Sequence, residues 1–273
     1  MYKLLATDID GTLINSKREL TDTTKKAIYE AYDKGCVILP CSGRGPLPLQ
    51  DITDEIDLDL PLACFNGALV IKGKSGEILY EKAIDKEDAI LAYNEGVKRN
   101  VGVIAWTFDN KLAFNEFNKF TEHYLSMANV KREDVIIIPE HMEIFDERIS
   151  KVLWHDEVEN MDEHVAYARN LLKTVDNNAM CATSQPFLLE FTHKDANKAE
   201  AIKHVADAFG IEHKDTIGIG DGLNDIPMIE YAALGVAMKN SHRETLDAAD
   251  YIAPSNDEDG VAYVINKFML GKE

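Results

Sequence analysis

Long apolar runs are missing from this 273-residue chain: no stretch reaches the roughly 18 residues that a membrane-spanning helix needs. Cysteine is scarce. Cys36, Cys41, Cys64 and Cys181 form no C-x-x-C pair and no zinc-like pairing with histidine, so reduced, mostly buried thiols are expected. Positive charge is also short, with 29 lysines and arginines against 48 acidic residues and a net charge of -19. Such a surface disfavours nucleic acid or an anionic membrane as the main partner, and a phosphate binds only where local cations, amides or a metal overcome the field. The eight histidines, at 123, 141, 155, 164, 193, 204, 213 and 242, show no H-E-x-x-H or comparable ligand spacing. Neither an internal repeat nor a low-complexity segment is found. Met1 leads into a short apolar segment broken by Asp8 and Asp10, too short and too acidic for a signal peptide. A cytoplasmic location and a monomeric state are the resulting expectations.

The apolar residues that are present come in short runs. Leu4-Leu5-Ala6, Cys36-Val37-Ile38-Leu39, Leu62-Ala63-Cys64-Phe65, Thr216-Ile217-Gly218-Ile219 and Leu234-Gly235-Val236-Ala237 each fit a strand of a sheet buried on both faces. Between the first two, Thr21 can cap a helix carrying Ala27, Ile28, Ala31 and Tyr32, and Gly35 is placed to stop it. Asn66-Gly67 is a turn signal leading into a hairpin of Ala68 to Ile71 and Glu77 to Tyr80. From about Ile84 to Pro186 the texture changes. Helical stretches near Asp88 to Lys98, Phe120 to Met127 and Asp162 to Leu172 alternate there with strands near Val101 to Thr107, Val152 to His155 and Met180 to Thr183. This pattern predicts an inserted α/β domain, residues 84–186, splitting a core of residues 1–83 and 187–273. Strands alternating with helices imply a doubly wound α/β core around a mostly parallel sheet, where ligands bind outside the carboxyl ends of the strands. Asp8, Ser42 and Asp221 each fall at such an end.

Phosphoryl transfer requires a nucleophile in line with the leaving oxygen, a proton source for that oxygen, and positive groups around the equatorial oxygens. Asp8 and Asp10 leave one strand end on the same side while the chain stays extended, so one can attack while the other handles the proton. Carboxylates this close need a cation beside them, and hard oxygen ligands favour magnesium. Gly11 lets the backbone approach a phosphate, and Thr12 can bond its neighbours to hold the loop. A second acidic segment, Gly220-Asp221-Gly222-Leu223-Asn224-Asp225, again follows an apolar strand and precedes a helix, although Asn224 and Asp225 can also serve as plain helix caps.

Taken in order, Asp8-Ile9-Asp10-Gly11-Thr12, Ser42-Gly43-Arg44, Lys198 and Gly220 to Asp225 make the chain resemble the haloacid dehalogenase superfamily, and within it the Cof-type phosphatases. Smaller matches are Asn66-Gly67-Ala68, Val236 to Asn240 and Asn256 to Val261. The resemblance implies a Rossmann-like core with an inserted cap that closes over the strand ends. It implies that Asp8 forms an aspartyl-phosphate and that Asp10 protonates the leaving group and then activates water. It further implies that Mg2+ is held by the Asp8 carboxylate, the Asp10 carbonyl and Asp221, with Asp225 close by. Ser42, Lys198, Asn224 and the amides of Gly11 and Gly43 would hold the phosphoryl oxygens, with Arg44 and Asn66 also counted as substrate-binding. Lys198 is preferred to Lys194 because it opens the helix before the last acidic motif, as the family lysine does. Ser42 stands where Thr is frequent and Ala199 where Gly is frequent. Arg44 has a second reading as a structural ion pair.

The expected reaction is hydrolysis of a small phosphomonoester, with sugar phosphates the first choice. Two rivals stand beside it: a phosphomutase of the same superfamily, which hands the phosphoryl group to a second hydroxyl, and a binding protein that turns no phosphometabolite over. Keeping both Asp8 and Asp10 argues against the latter, since binding alone needs no proton-handling carboxylate. The aromatic stretch Trp106, Phe108, Phe114, Phe117, Phe120 and Tyr124 reads as the core of the inserted domain, with a substrate lid as the alternative.

Overall fold

The computed structural model describes residues 1–46, 49–128 and 130–272. The chain forms two compact units, one of Met1–Glu81 with Ala196–Glu273 and one of Lys82–Asp195.

The first unit opens with β1 (Leu4–Asp8), all five residues of which are buried, so the sheet is covered on both faces there. Thr21 caps α1 (Asp22–Asp33) by accepting the Thr24 N–H at 3.2 Å. Next come β2 (Val37–Cys41), α2 (Gln50–Ile56), β3 (Pro61–Cys64), a single 3-10 turn at Phe65–Gly67, and the hairpin strands β4 (Leu69–Lys72) and β5 (Ile78–Glu81).

The chain then builds the second unit from α3 (Lys86–Lys98), β6 (Gly102–Thr107), β7 (Leu112–Phe114), α4 (Lys119–Ala128), β8 (Ile136–Ile137), β9 (Ile149–His155), α5 (Val158–Thr174), β10 (Ala179–Gln185) and β11 (Leu188–His193). Its sheet runs β10-β11-β9-β6-β7-β8, antiparallel except for β7 with β8. Alternation along the strands gives it two cores. Val103, Val152, Trp154, Leu189 and Phe191 pack with residues of α3 and α5, while Ile104, Phe114, Leu153 and Leu188 pack with Tyr124 and Leu125 of α4.

Returning to the first unit, the chain adds α6 (Lys198–Phe209), β12 (Thr216–Gly220), α7 (Ile226–Tyr231), β13 (Leu234–Met238), α8 (Arg243–Ala248), β14 (Tyr251–Ala253) and α9 (Gly260–Val264), which runs on into a π-helical turn, Ile265–Met269. The sheet order is β14-β13-β12-β1-β2-β3-β4-β5, parallel from β14 to β3 and antiparallel at the hairpin edge. From β1 the chain first moves to β2, and only after the second unit does it add β12 on the other side. The strand order therefore reverses at β1, and ligand sites form at such a point. The four cysteines are free thiols, three of them buried.

The segment from residue 187 to Asp195 departs from its expected place. Leu188-Leu189-Glu190-Phe191 pairs antiparallel with both β9 and β10, so it is an inner strand of the second sheet rather than a return to the core. Its apolar pattern is equally suited to either sheet; the partner strands, distant in sequence, decide. β14 was not foreseen either, because three residues of pattern are too few to register against the adjoining loop.

Candidate active site

Asp8 closes β1 between β12 and β2, directly opposite Cys41 in register, and is 9% exposed. Its Oδ1 accepts a hydrogen bond from the Lys198 ammonium at 2.5 Å, and Asp225 Oδ1 accepts another from the same ammonium at 2.5 Å. Lys198 has no solvent exposure. It is the first residue of α6, whose cap is Asn197: the Asn197 side chain accepts the Ala199 N–H at 3.0 Å and the Glu200 N–H at 3.1 Å. A cation in the first turn opposes the helix dipole by about 0.3–1 kcal/mol, which two carboxylates in direct contact outweigh. The turn before β4 fixes where this helix begins. Gly67 has φ +95, and a Cβ there would lie 2.3 Å from the Asn197 carbonyl oxygen, so only glycine allows the approach.

Asp225 is fully buried, and its second oxygen accepts the N–H groups of Asp221 at 3.0 Å and Gly222 at 2.9 Å. It therefore ties Lys198 to the loop after β12 instead of acting only as a helix cap. Asp221 Oδ1 accepts the Thr12 hydroxyl at 2.7 Å. Its other oxygen lies under Gly11, where φ is +81 and a Cβ would come within 2.6 Å. One oxygen from each of Asp8, Asp221 and Asp225 falls within 4.8 Å of the others.

These carboxylates outnumber their cation. Burial pushes the Asp8 carboxyl up to about 7, with Lys198 pulling it down and Asp225 and Asp221 adding to the rise. Burial also raises Asp221; the Thr12 hydroxyl opposes this and the Asp225 charge adds to it. For Lys198, burial works against the charge, but Asp225 and Asp8 hold the ammonium above the usual lysine range. Three close carboxylates with one ammonium leave uncompensated negative charge, and the donors are all hard oxygens. The residues present thus fit a divalent cation of the magnesium type.

A polar rim lies beside this centre. Ser42 Oγ accepts the Arg44 N–H at 3.1 Å, and the Ser42 carbonyl accepts the Asn66 N–H at 2.8 Å. Asn66, at φ +57, accepts the Asn224 side-chain N–H at 3.1 Å, and a Cβ on Gly43 would sit 3.2 Å from the same Asn66 oxygen. The Asp10 carboxylate stands apart from the acidic group, and both of its oxygens accept from Arg44 Nη2 at 2.6 Å. Arg44 thus forms an ion pair here, and its partner is a carboxylate of the first acidic loop. With side chains 37% and 45% exposed, the pair contributes about 0–1 kcal/mol, so it does little to prevent rotation of the Asp10 carboxylate.

The haloacid dehalogenase-like hydrolase family profile matches residues 5–265. The chain belongs to this family. It is 32% identical to YxeH of Bacillus subtilis over 100% of both chains. It is 30% identical to the B. subtilis 5-amino-6-(5-phospho-D-ribitylamino)uracil phosphatase YcsE, covering 98% of this chain and 96% of that protein. Among solved structures, TM0651 from Thermotoga maritima superposes with a TM-score of 0.83 at 25% identity, covering 98% of this chain and 97% of that one. This haloacid dehalogenase-like hydrolase is an enzyme of the phosphatase kind.

Sequence reasoning missed how the hydrolase holds its first acidic loop. The Asn240 side chain donates to the Gly11 carbonyl at 2.8 Å and accepts the Asn256 N–H at 3.1 Å, and the Asn256 side chain donates to the Ile14 carbonyl at 3.0 Å. Both asparagines lie in the segments Val236 to Asn240 and Asn256 to Val261, which carried the resemblance without a role. Thr12 was expected to hold its own loop and instead reaches Asp221.

Proposed function

We propose that this enzyme is a magnesium-dependent phosphatase that hydrolyses phosphomonoesters of polyhydroxylated carbon chains, sugar phosphates first, through an aspartyl-phosphate on Asp8. The observation that carries the reading is the Asp8 carboxylate: buried at a strand end, one oxygen held by Lys198 and the other uncommitted, grouped with Asp221 and Asp225. That second oxygen attacks phosphorus, the bond to the leaving-group oxygen breaks, and Asp10 gives that oxygen its proton. Asp10 then takes a proton from water, whose oxygen attacks phosphorus; the bond to Asp8 breaks, and inorganic phosphate leaves. Lys198, Ser42, Asn224 and the amides of Gly11 and Gly43 hold the phosphoryl oxygens throughout. The Asp8 and Asp221 carboxylates and the Asp10 carbonyl, with Asp225 beside them, would hold the magnesium ion, which when bound would supply neutralisation of the negative charge gathered here.

A shared feature supports the substrate class. The compound in the name of YcsE carries its phosphate on a ribityl chain, and a sugar phosphate likewise carries its ester on a hydroxylated carbon chain. The unit Lys82–Asp195 is assigned the choice of leaving group. The setting assigned is the cytoplasm, with a monomer acting on a small ester.

A phosphate-release screen over sugar and polyol phosphates, run with and without magnesium, tests this reading with Asp8→Asn as control. Release that needs magnesium and disappears in the variant is expected. Activity surviving Asp8→Asn would sink the aspartyl-phosphate route, and conversion of a hexose 6-phosphate to its 1-phosphate without inorganic phosphate would make the enzyme a mutase.

A further inference from the structure

The carboxylate assigned to protonate the leaving group is loosely held. Asp10 is exposed, and its surface pair with Arg44 does not fix it in one place. Its position is therefore set by the backbone that carries it. Asp10 and Gly11 form the tip of a tight turn whose base is closed by the main chain: the Leu13 N–H donates to the Asp8 carbonyl at 3.2 Å and the Ile14 N–H to the Ile9 carbonyl at 3.1 Å. The tip is gripped at two points. At one, the Thr12 hydroxyl donates to Asp221 Oδ1 at 2.7 Å and Gly11 lies against the same carboxylate. At the other, Asn240 Nδ2 donates to the Gly11 carbonyl at 2.8 Å.

Asn240 is itself aimed. Its Oδ1 accepts the Asn256 N–H at 3.1 Å, and because a backbone N–H only donates and a carbonyl only accepts, the amide meets both groups in a single orientation. The segment after β14 continues the grip. Asn256 Nδ2 donates to the Ile14 carbonyl at 3.0 Å, Asp257 Oδ1 accepts the Ser16 N–H at 2.9 Å, and Asp259 Oδ1 accepts the Thr21 hydroxyl at 2.6 Å. That segment holds the chain from Ile14 to Thr21, while Asn240 reaches ahead of it to the residue after Asp10. Asn240 is exposed, so water can replace its bonds at little cost to folding. Water does not supply a fixed direction, and a proton is delivered only across hydrogen-bond reach, roughly 2.6–3.2 Å.

We propose that Asn240 is a positioning residue for Asp10: by holding the Gly11 carbonyl it keeps the tip of the turn, and the carboxyl on it, in reach of the leaving-group oxygen. This role rests on the acid role given to Asp10 above. The test compares kcat/KM for the best sugar or polyol phosphate of the release screen with kcat/KM for p-nitrophenyl phosphate, whose phenolate departs with little need of a proton. Departure of that group ends the steps that kcat/KM reports, so hydrolysis of the aspartyl-phosphate, shared by both esters, does not enter. A ratio taken on one preparation is also independent of the fraction folded. Asn240→Asp keeps the shape and removes the donor; Asn240→Ala removes the donor without adding charge. In both variants the alkyl-to-aryl ratio should fall by about tenfold, part of the 10²–10⁴-fold that a placed acid contributes, and Asp10→Asn should lower it further. A merely structural role would cost both esters alike, so an equal loss, or none, overturns the proposal. A fall confined to one Asn240 variant overturns it too, since loss of the donor is what the two share. A ratio unchanged in Asp10→Asn overturns the acid role of Asp10 as well; a ratio that falls there but holds in the Asn240 variants overturns the positioning role alone.

Discussion

Replacing Lys198 with methionine keeps a straight side chain of similar length and removes its charge. In the wild type the ammonium sits 2.5 Å from both Asp8 Oδ1 and Asp225 Oδ1 with no solvent exposure. At an effective dielectric constant near 20, each contact represents about 6–7 kcal/mol of gross attraction, most of it offset by desolvation of the charges. Breaking a buried pair by deleting one partner costs about 3–5 kcal/mol. Asp8, already up at about 7 with Lys198 in place, then takes a proton instead of standing as another bare charge, which puts the expected loss near the lower end, about 3 kcal/mol. Catalysis suffers more. The variant loses a cation facing the phosphoryl oxygens, worth about 10²–10³ in kcat, and also leaves the nucleophile largely protonated, so kcat should drop by about 10³ or more. Urea unfolding followed by circular dichroism measures the first effect, and phosphate release at saturating magnesium the second. A folded variant that retained more than about a tenth of the wild-type kcat would refute the role given to this contact.

Gly67→Ala should lose about 3 kcal/mol or more, since its Cβ would lie 2.3 Å from the Asn197 carbonyl at φ +95, whereas Gly35→Ala, at φ +78 in open space, should lose about 1–2. Equal losses in chemical denaturation would show that backbone strain alone, and not the close approach, governs both sites. Burial, with the neighbouring His123 adding to it, lowers His155 from 6.5 to about 4. The unfolded chain therefore binds this proton first as pH falls, and stability is complete above about 6.5 and declines by up to about 3 kcal/mol toward pH 4. His155→Gln should flatten that part of the pH profile of the urea midpoint. Magnesium should raise the melting temperature of the wild type but not of Asp221→Asn. The rise should be larger near pH 8 than near pH 5, because Asp8 and Asp221 hold their protons above the ordinary carboxylate range and must release them to bind a cation.

Much of the core was legible because its signals are local. Short apolar runs such as Leu4-Leu5-Ala6 suit a strand buried on both faces, and Thr21 marks the start of α1 through a bond to a residue three positions on. The strand β11 was not legible as part of the second unit, because Leu188-Leu189-Glu190-Phe191 has the same pattern whichever sheet receives it and its neighbours are chosen by packing. The pairing of Arg44 with Asp10 was open for a similar reason: two exposed, flexible side chains from different loops have no spacing rule.

By itself the sequence determined that Asp8, Ser42 and Asp221 stand at strand ends, since strand propensity and Asp-Gly turns act over a few residues. Only the tertiary structure decided that Asp8 meets the Lys198 ammonium across 190 residues of chain and shares it with Asp225, and that Asn240 steadies the Gly11 loop across 229. Those meetings depend on the order β12-β1-β2 and on the close approach of Gly67 to Asn197, which non-local packing sets and no local pattern encodes.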